Sequence, residues 1–211
     1  MNILVVSAHH DDLELGCGGM VAKALERGHR VISLVLTHSG YCAPDKTVIR
    51  SREEALVAGH RAARLLGYEL IAGEEDSLDL AVTDANICRI LQVIQERQID
   101  LALTHWHGDT HPPHRRTNTM VLHACRSVPS VLGFAVNKYI GIEPFHPQLF
   151  VRLDESQWNK KIQALKCYES EFRRAGTQWV EYLDRQVLNF GAQLGVSRAE
   201  GFVVYKHLWE F

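Results

Sequence analysis

The side chains able to do chemistry gather in two short segments. His9-His10-Asp11-Asp12 and the stretch from His105 to His114 (HWHGDTHPPH) together hold six of the 12 histidines. Imidazole nitrogen and carboxylate oxygen are donors that zinc favours, and a catalytic zinc keeps three protein ligands and one open position. A His and an Asp three residues apart in one turn, joined by a distant His, supply such a set. A carboxylate between the first pair can face the metal's water as a base, and zinc draws the pKa of that water toward about 7. Fe(II), Co(II) and Mn(II) suit the same donors. One polar loop of this kind is more often a solvated turn; two loops brought to the same place are a stronger signal.

Both segments directly follow apolar runs that read as strands. Asn2–Ser7 is short, branched and apolar, as a buried strand should be. A helix is expected over Gly19–Arg27 with Gly28 past its end, then a strand over Arg30–Thr37, which together make a parallel crossover unit. Ser51 precedes a helical run to Leu66 that Gly67 closes. A strand is expected over Tyr68–Ala72, a helix over Ala85–Arg97 capped by Thr83 or Asp84, and a strand over Asp100–Thr104. Further helices are expected over Asn118–Arg126, Gln157–Arg173 and Val180–Gln193, and strands over Phe150–Leu153 and Gly201–Leu208. The alternation predicts a single α/β domain over residues 1–211, a three-layer α/β/α sandwich with a largely parallel, Rossmann-like sheet. Ligands of such sheets bind at the carboxyl ends of the strands. The two polar segments fall on that edge.

Composition narrows the classes. The net charge is −2, so no basic excess points to nucleic acid. No apolar stretch nears the ~20 residues a membrane helix needs, and the amino terminus lacks a basic leader. Five cysteines without a CxxC pair suit reduced thiols in the cytoplasm. Assembly into a homo-oligomer is left open.

The two segments, with their neighbours, resemble the PIG-L/LmbE-like superfamily of N-acetylglucosaminyl deacetylases. Ala8-His9-His10-Asp11-Asp12 followed by Gly16-Cys17-Gly18-Gly19 is similar to its AHPDD…GCGG signature, and Asp109-Thr110-His111-Pro112-Pro113-His114 to its D-x-H-P-D-H signature. Weaker likenesses run through Ser51-Arg52-Glu53-Glu54-Ala55, Glu75-Asp76-Ser77-Leu78, Lys161 to Ser170, with Glu171 where Gln is usual, and Ala199-Glu200-Gly201-Phe202. The resemblance implies that His9, Asp12 and His114 ligate zinc. Asp11 would be the general base, and His111 would stabilise the oxyanion or donate a proton. Arg52 and Asp76 would contact the sugar. The implied substrate is a small N-acetylated amino sugar or sugar conjugate, cleaved to acetate and a free amine.

The chain departs from the pattern at two places. His10 replaces a proline and is expected in a supporting or exposed role. Pro113 replaces the Asp that partners the catalytic His, so the expectation is either that His111 titrates lower or that Asp109 takes over as its partner. Trp106, inside the second segment, is a candidate sugar-stacking residue, whereas Trp158, Trp179 and Trp209 suit packing. Arg115-Arg116 reads as a solvated basic pair or an anion contact. Three rival readings differ in kind. A dinucleotide-binding oxidoreductase would use the glycines for phosphate, but the third glycine is missing and two carboxylates stand in the way. A non-catalytic carbohydrate binder would have lost a ligand or the base. An amidase on a non-sugar acyl amide would differ only in substrate.

Overall fold

The computed structural model describes residues 1–136 and 141–208. Trp209 lies outside them. A seven-stranded sheet forms the middle layer. Its strands are β1 (Asn2–Ser7), β2 (Arg30–Val35), β5 (Glu69–Ile71), β6 (Leu101–His105), β7 (Ser130–Phe134), β8 (Leu149–Leu153) and β9 (Arg198–His207), while β3 (Tyr41–Cys42) and β4 (Val48–Arg50) pair as a separate hairpin. The order is β5-β2-β1-β6-β7-β9-β8, parallel from β5 through β7, with β9 antiparallel to both its neighbours.

Period-two alternation in β1 feeds both faces. Ile3 and Val5 join one core with Leu13 and Val21 of α1 (Asp12–Glu26) and Ala58 and Ala62 of α2 (Arg52–Leu66). Leu4 and Val6 join the other core with Ile87 and Ile90 of α3 (Asp84–Arg97) and Met120 and Val121 of α4 (Pro112–Ala124). Outside the first layer, α5 (Glu155–Leu165) and α7 (Gln178–Leu194) share a smaller cluster of Trp158, Leu165, Leu183 and Val187, and the short α6 (Glu169–Ala175) connects them. The chain thus places β2 on one side of β1 and β6 on the other. That reversal opens a crevice at the carboxyl ends of β1 and β6.

Several boundaries differ from expectation for local reasons. Helix α1 begins at Asp12, not Gly19, but it is broken at Cys17, whose φ is −145°. The break leaves polar groups inside the protein, and the distal chain satisfies them. The Lys161 ammonium donates to Leu15 O at 2.8 Å, while Glu200 accepts the N–H groups of Gly19 and Met20 at 3.1 and 2.7 Å. Lys161 and Glu200 pair with each other at 2.7 Å, both almost fully buried. Helix α4 starts at Pro112 rather than Asn118, because two prolines with fixed φ suit a first helical turn. The long helix expected over Gln157–Arg173 is two helices, α5 and α6. Between them the fully buried Tyr168 turns inward to donate to His10 O at 2.6 Å. Strand β7 and the β3–β4 hairpin were not expected.

Candidate metal and catalytic site

The loop after β1 closes on itself, because Asp12 accepts the N–H of His9 at 2.7 Å. His114 stands in the first turn of α4 and reaches the same point. His9 Nδ1 and His114 Nε2 are 3.2 Å apart, Asp12 Oδ2 is 3.4 Å from His9 Nδ1, and Asp12 Oδ1 is 3.4 Å from His114 Nε2. A tetrahedral zinc with bonds of about 2.0–2.1 Å holds its ligand atoms about 3.3–3.4 Å apart. The His9 and His114 nitrogens have close to that separation, and each faces a different oxygen of Asp12. Donor atoms of His9, His111 and His114 also lie within 4.8 Å of one another, as do those of Asp12, His105 and His114.

Supporting groups fix this triad. Asp109 Oδ2 lies 2.8 Å from His114 Nδ1, which turns Nε2 toward the other donors. Its Oδ1 accepts the backbone N–H of His111 at 2.7 Å. The carboxylate expected to support the His111 ring therefore grips His114, and it meets His111 through the main chain. His105, fully buried at the end of β6, stacks on His114 with ring centres 3.9 Å apart and sets Nε2 3.0 Å from Asp12 Oδ2. The sequence placed His105 at the edge of the second polar segment but gave it no role.

Burial alone would raise the Asp12 carboxyl, but His114, His105 and His9 together hold it well below the usual carboxylate range. Burial alone would lower His114; Asp12 and Asp109 outweigh it and raise the ring to about 9. Without an ion, a proton on His114 thus offsets the two carboxylates. His111, at the start of α4, falls to about 4 through burial and the charges of His114 and His9. Its ring is neutral at pH 7.

Asp11 flanks the triad, and a residue that the motifs did not reveal holds it. Arg50, at the end of β4, is 4% exposed and sits 3.2 Å from both Asp11 Oδ2 and Glu171 Oε1. Its Nε donates to Ser39 O at 2.7 Å. Glu171 also accepts from the Tyr41 hydroxyl at 2.9 Å. In the sequence Arg50 is one of two arginines flanking Ser51, and only the hairpin's fold turns it inward.

These groups line one wall of an open cleft of about 1500 Å³ that also includes Arg52, Asp76, Trp179 and Leu183. Arg52 and Asp76 thus lie in the same cleft as the triad. Trp106 does not line it: the ring is 6% exposed, edge-on to Phe145 and wedged where a Cβ on Gly108 or Gly141 would collide with it. Conversely Trp179, expected in packing alone, reaches the cleft while contacting Phe172. His10 is not exposed; its ring fits against Gly59 of α2, where a Cβ would come within 2.7 Å, and burial lowers it to about 4. Arg115 and Arg116 are loop staples: Arg115 donates to the carbonyls of Asp109 and Thr110, and Arg116 to those of Leu78 and Leu80.

Residues 4–125, which contain both polar loops and every member of the triad, match the family model of GlcNAc-PI de-N-acetylase, PIG-L. The chain belongs to that family. This PIG-L chain is accordingly a hydrolase of amide C–N bonds, a de-N-acetylase. It is 28% identical over 180 residues to the uncharacterized deacetylase YaiS of Escherichia coli, covering 80% of this chain and 90% of that one. It is 26% identical to the diacetylchitobiose deacetylase of Thermococcus kodakarensis, covering 99% and 86%. The solved structure of GalB, a 4-carboxy-2-hydroxymuconate hydratase from Pseudomonas putida, superposes with a TM-score of 0.82 at 20% identity, covering 100% and 98%. A hydratase on the same scaffold means that fold alone does not decide the chemistry; the residues must. In this PIG-L chain the glycines of the first motif do not cradle phosphate. They lie inside α1, where a Cβ on Gly16 would strike the Phe134 ring at 2.1 Å and one on Gly19 would strike Leu153 at 2.5 Å. Close packing, not dinucleotide binding, requires them.

Proposed function

We propose that this de-N-acetylase removes the acetyl group from an N-acetylated amino sugar or sugar conjugate, with zinc held by His9, Asp12 and His114. The convergence of those three residues carries the proposal, with the His9 and His114 nitrogens 3.2 Å apart and each 3.4 Å from an oxygen of Asp12. The same donors accept Fe(II), Co(II) or Mn(II). A divalent ion there supplies Lewis-acid activation of water and of the acetamide carbonyl.

The chain's own residues do the rest. Asp11 takes the proton of the attacking water and returns it to the leaving amine, so one carboxylate serves as base and then acid. Arg50 keeps that carboxylate in place. His111, neutral near pH 7, acts as a hydrogen-bond donor to the oxygen on which charge develops, the role open to a neutral imidazole. Arg52 and Asp76 bind the sugar from the cleft wall. Val48, Trp179 and Leu183 give the cleft an apolar side, which favours a conjugate with an apolar aglycone over a free monosaccharide. The unpaired Cys17, Cys42, Cys88, Cys125 and Cys167 support a reducing compartment such as the cytoplasm.

Acetate release from N-acetylglucosamine glycosides and from non-sugar acetamides, each with and without a chelator, tests this reading. Metal-dependent release confined to the sugars is expected. Release from the non-sugar amides alone would move the enzyme to another substrate class.

A further inference from the structure

Beyond β2 the chain enters a short, heavily tied segment. Thr37 bridges Glu75, and the His38 N–H donates to Glu75 O at 3.0 Å. The Thr37 hydroxyl donates to Ala8 O at 2.7 Å and lies 3.1 Å from that of Ser77. Ser39 adopts a left-handed φ of 59°, uncommon for a residue with a side chain. Contacts on three sides hold it there: its N–H donates to the Thr37 hydroxyl at 3.2 Å, its hydroxyl accepts the His10 N–H at 3.1 Å and its carbonyl accepts Arg50 Nε at 2.7 Å. Strained backbone of this kind persists where its surroundings over-determine it.

That backbone sets His38 into the cleft wall, 7% exposed. Nδ1 accepts the Gly40 N–H at 2.9 Å, so the neutral ring carries its proton on Nε2. Gly40 permits the approach, since a Cβ there would lie 3.1 Å from Arg52 N and 3.3 Å from Nδ1. Nε2 is buried and makes no hydrogen bond among the described residues, yet Asp76 Oδ2 is 3.4 Å away. An unmade bond at a buried donor is costly. Asp76 itself is half exposed, and its Oδ1 already accepts the Leu78 N–H at 3.1 Å.

We propose that His38 is a positioning residue whose Nε2–H closes on Asp76 Oδ2 when substrate binds, aiming that carboxylate at two neighbouring hydroxyls of the sugar. A carboxylate offers about four acceptor sites. Leu78 and His38 use one on each oxygen and leave one on each for substrate. The proposal rests on the amino-sugar reading of the cleft.

Two substitutions separate the two ring nitrogens. His38→Asn retains an acceptor where Nδ1 stood but removes the distal donor; His38→Gln retains a donor near Nε2. The probe is phenyl glucosaminide, the amine product, which cannot turn over, and its affinity for the metal-loaded protein is read by calorimetry. His38→Asn should weaken binding about three- to tenfold, the worth of one hydrogen bond, while His38→Gln stays near wild type. In an Asp76→Ala background, His38→Asn should have no further effect, because the two act as one unit. Equal weakening with and without Asp76 overturns the proposal, as does failure of the wild type to bind the amine. Acetate release from phenyl N-acetylglucosaminide, measured alongside, reports separately on the reaction: coupled binding without release would leave His38 in place and remove this acetamide as the substrate.

Discussion

Asp109 holds His114 by its Nδ1 at 2.8 Å, and through its other oxygen it holds the N–H of His111, the residue that precedes the helix on which His114 stands. One carboxylate thereby fixes both the ring and its helix. Partners of this kind typically contribute 10- to 100-fold to metal affinity. Asp109→Asn should therefore weaken zinc binding by about one to two powers of ten, as read by chelator competition. An unchanged affinity with a lower turnover would assign Asp109 to His111 instead.

Metal uptake should release a proton. The ion-free His114 titrates near 9, and a ligand must be deprotonated to bind. Below pH 9 the apparent affinity should fall about tenfold for each unit of pH through this group. Calorimetry at pH 7 in buffers of differing ionisation enthalpy should give about one proton per ion; a value near zero would contradict the charged state of His114.

Asp11→Asn should keep the metal and lose turnover by about 10²- to 10⁴-fold, the range of a general base. Arg50→Ala should cost both activity and stability. It leaves Asp11 and Glu171 without the guanidinium between them, and breaking a buried pair typically costs about 3–5 kcal/mol. Denaturant unfolding measures the loss, and a change below about 1 kcal/mol would place the pair among exposed bridges.

Glu14 sets a pH dependence of folding. It is fully buried between the hydroxyls of Tyr68 and Tyr168, at 2.7 and 3.1 Å, and burial raises its carboxyl from 4.5 to about 8. Between those values the unfolded chain has released the proton and the folded chain retains it, so stability falls as pH rises. Its contribution is full below 4.5 and lost by about 8. Thermal melts from pH 5 to 8 should show a decline that Glu14→Gln flattens; parallel curves would mean Glu14 is ionised in the fold.

How far the sequence was legible follows from the range of each signal. Strand β1 and helix α2 were readable to the residue, since Ser51 accepts the Glu54 N–H and Gly67 takes a left-handed φ of 99°. Those are local rules. That His9, Asp12 and His114 would converge was legible because they sit in two contiguous motifs that follow strands at one sheet edge. Arg50 and His38 were not, because each takes its place from a partner distant in the chain or from a backbone turn that no pattern encodes; His105 stood in the second segment, but its contact with Asp12 did not show there. Trp106 failed in the opposite sense: position beside the catalytic loop does not say which way a ring points.

The break in α1 makes the motif-bearing part of the chain depend on residues far beyond it. Residues 4–125 contain every donor of the triad, yet the ruptured helical rungs just beyond Asp12 are mended by Lys161 and Glu200, and Phe134 fills the notch at Gly16. A fragment ending at residue 125 would carry all the reactive groups with no floor beneath them. The segment that carries Lys161 and Glu200 is a keystone for the catalytic loop rather than an appendage to it.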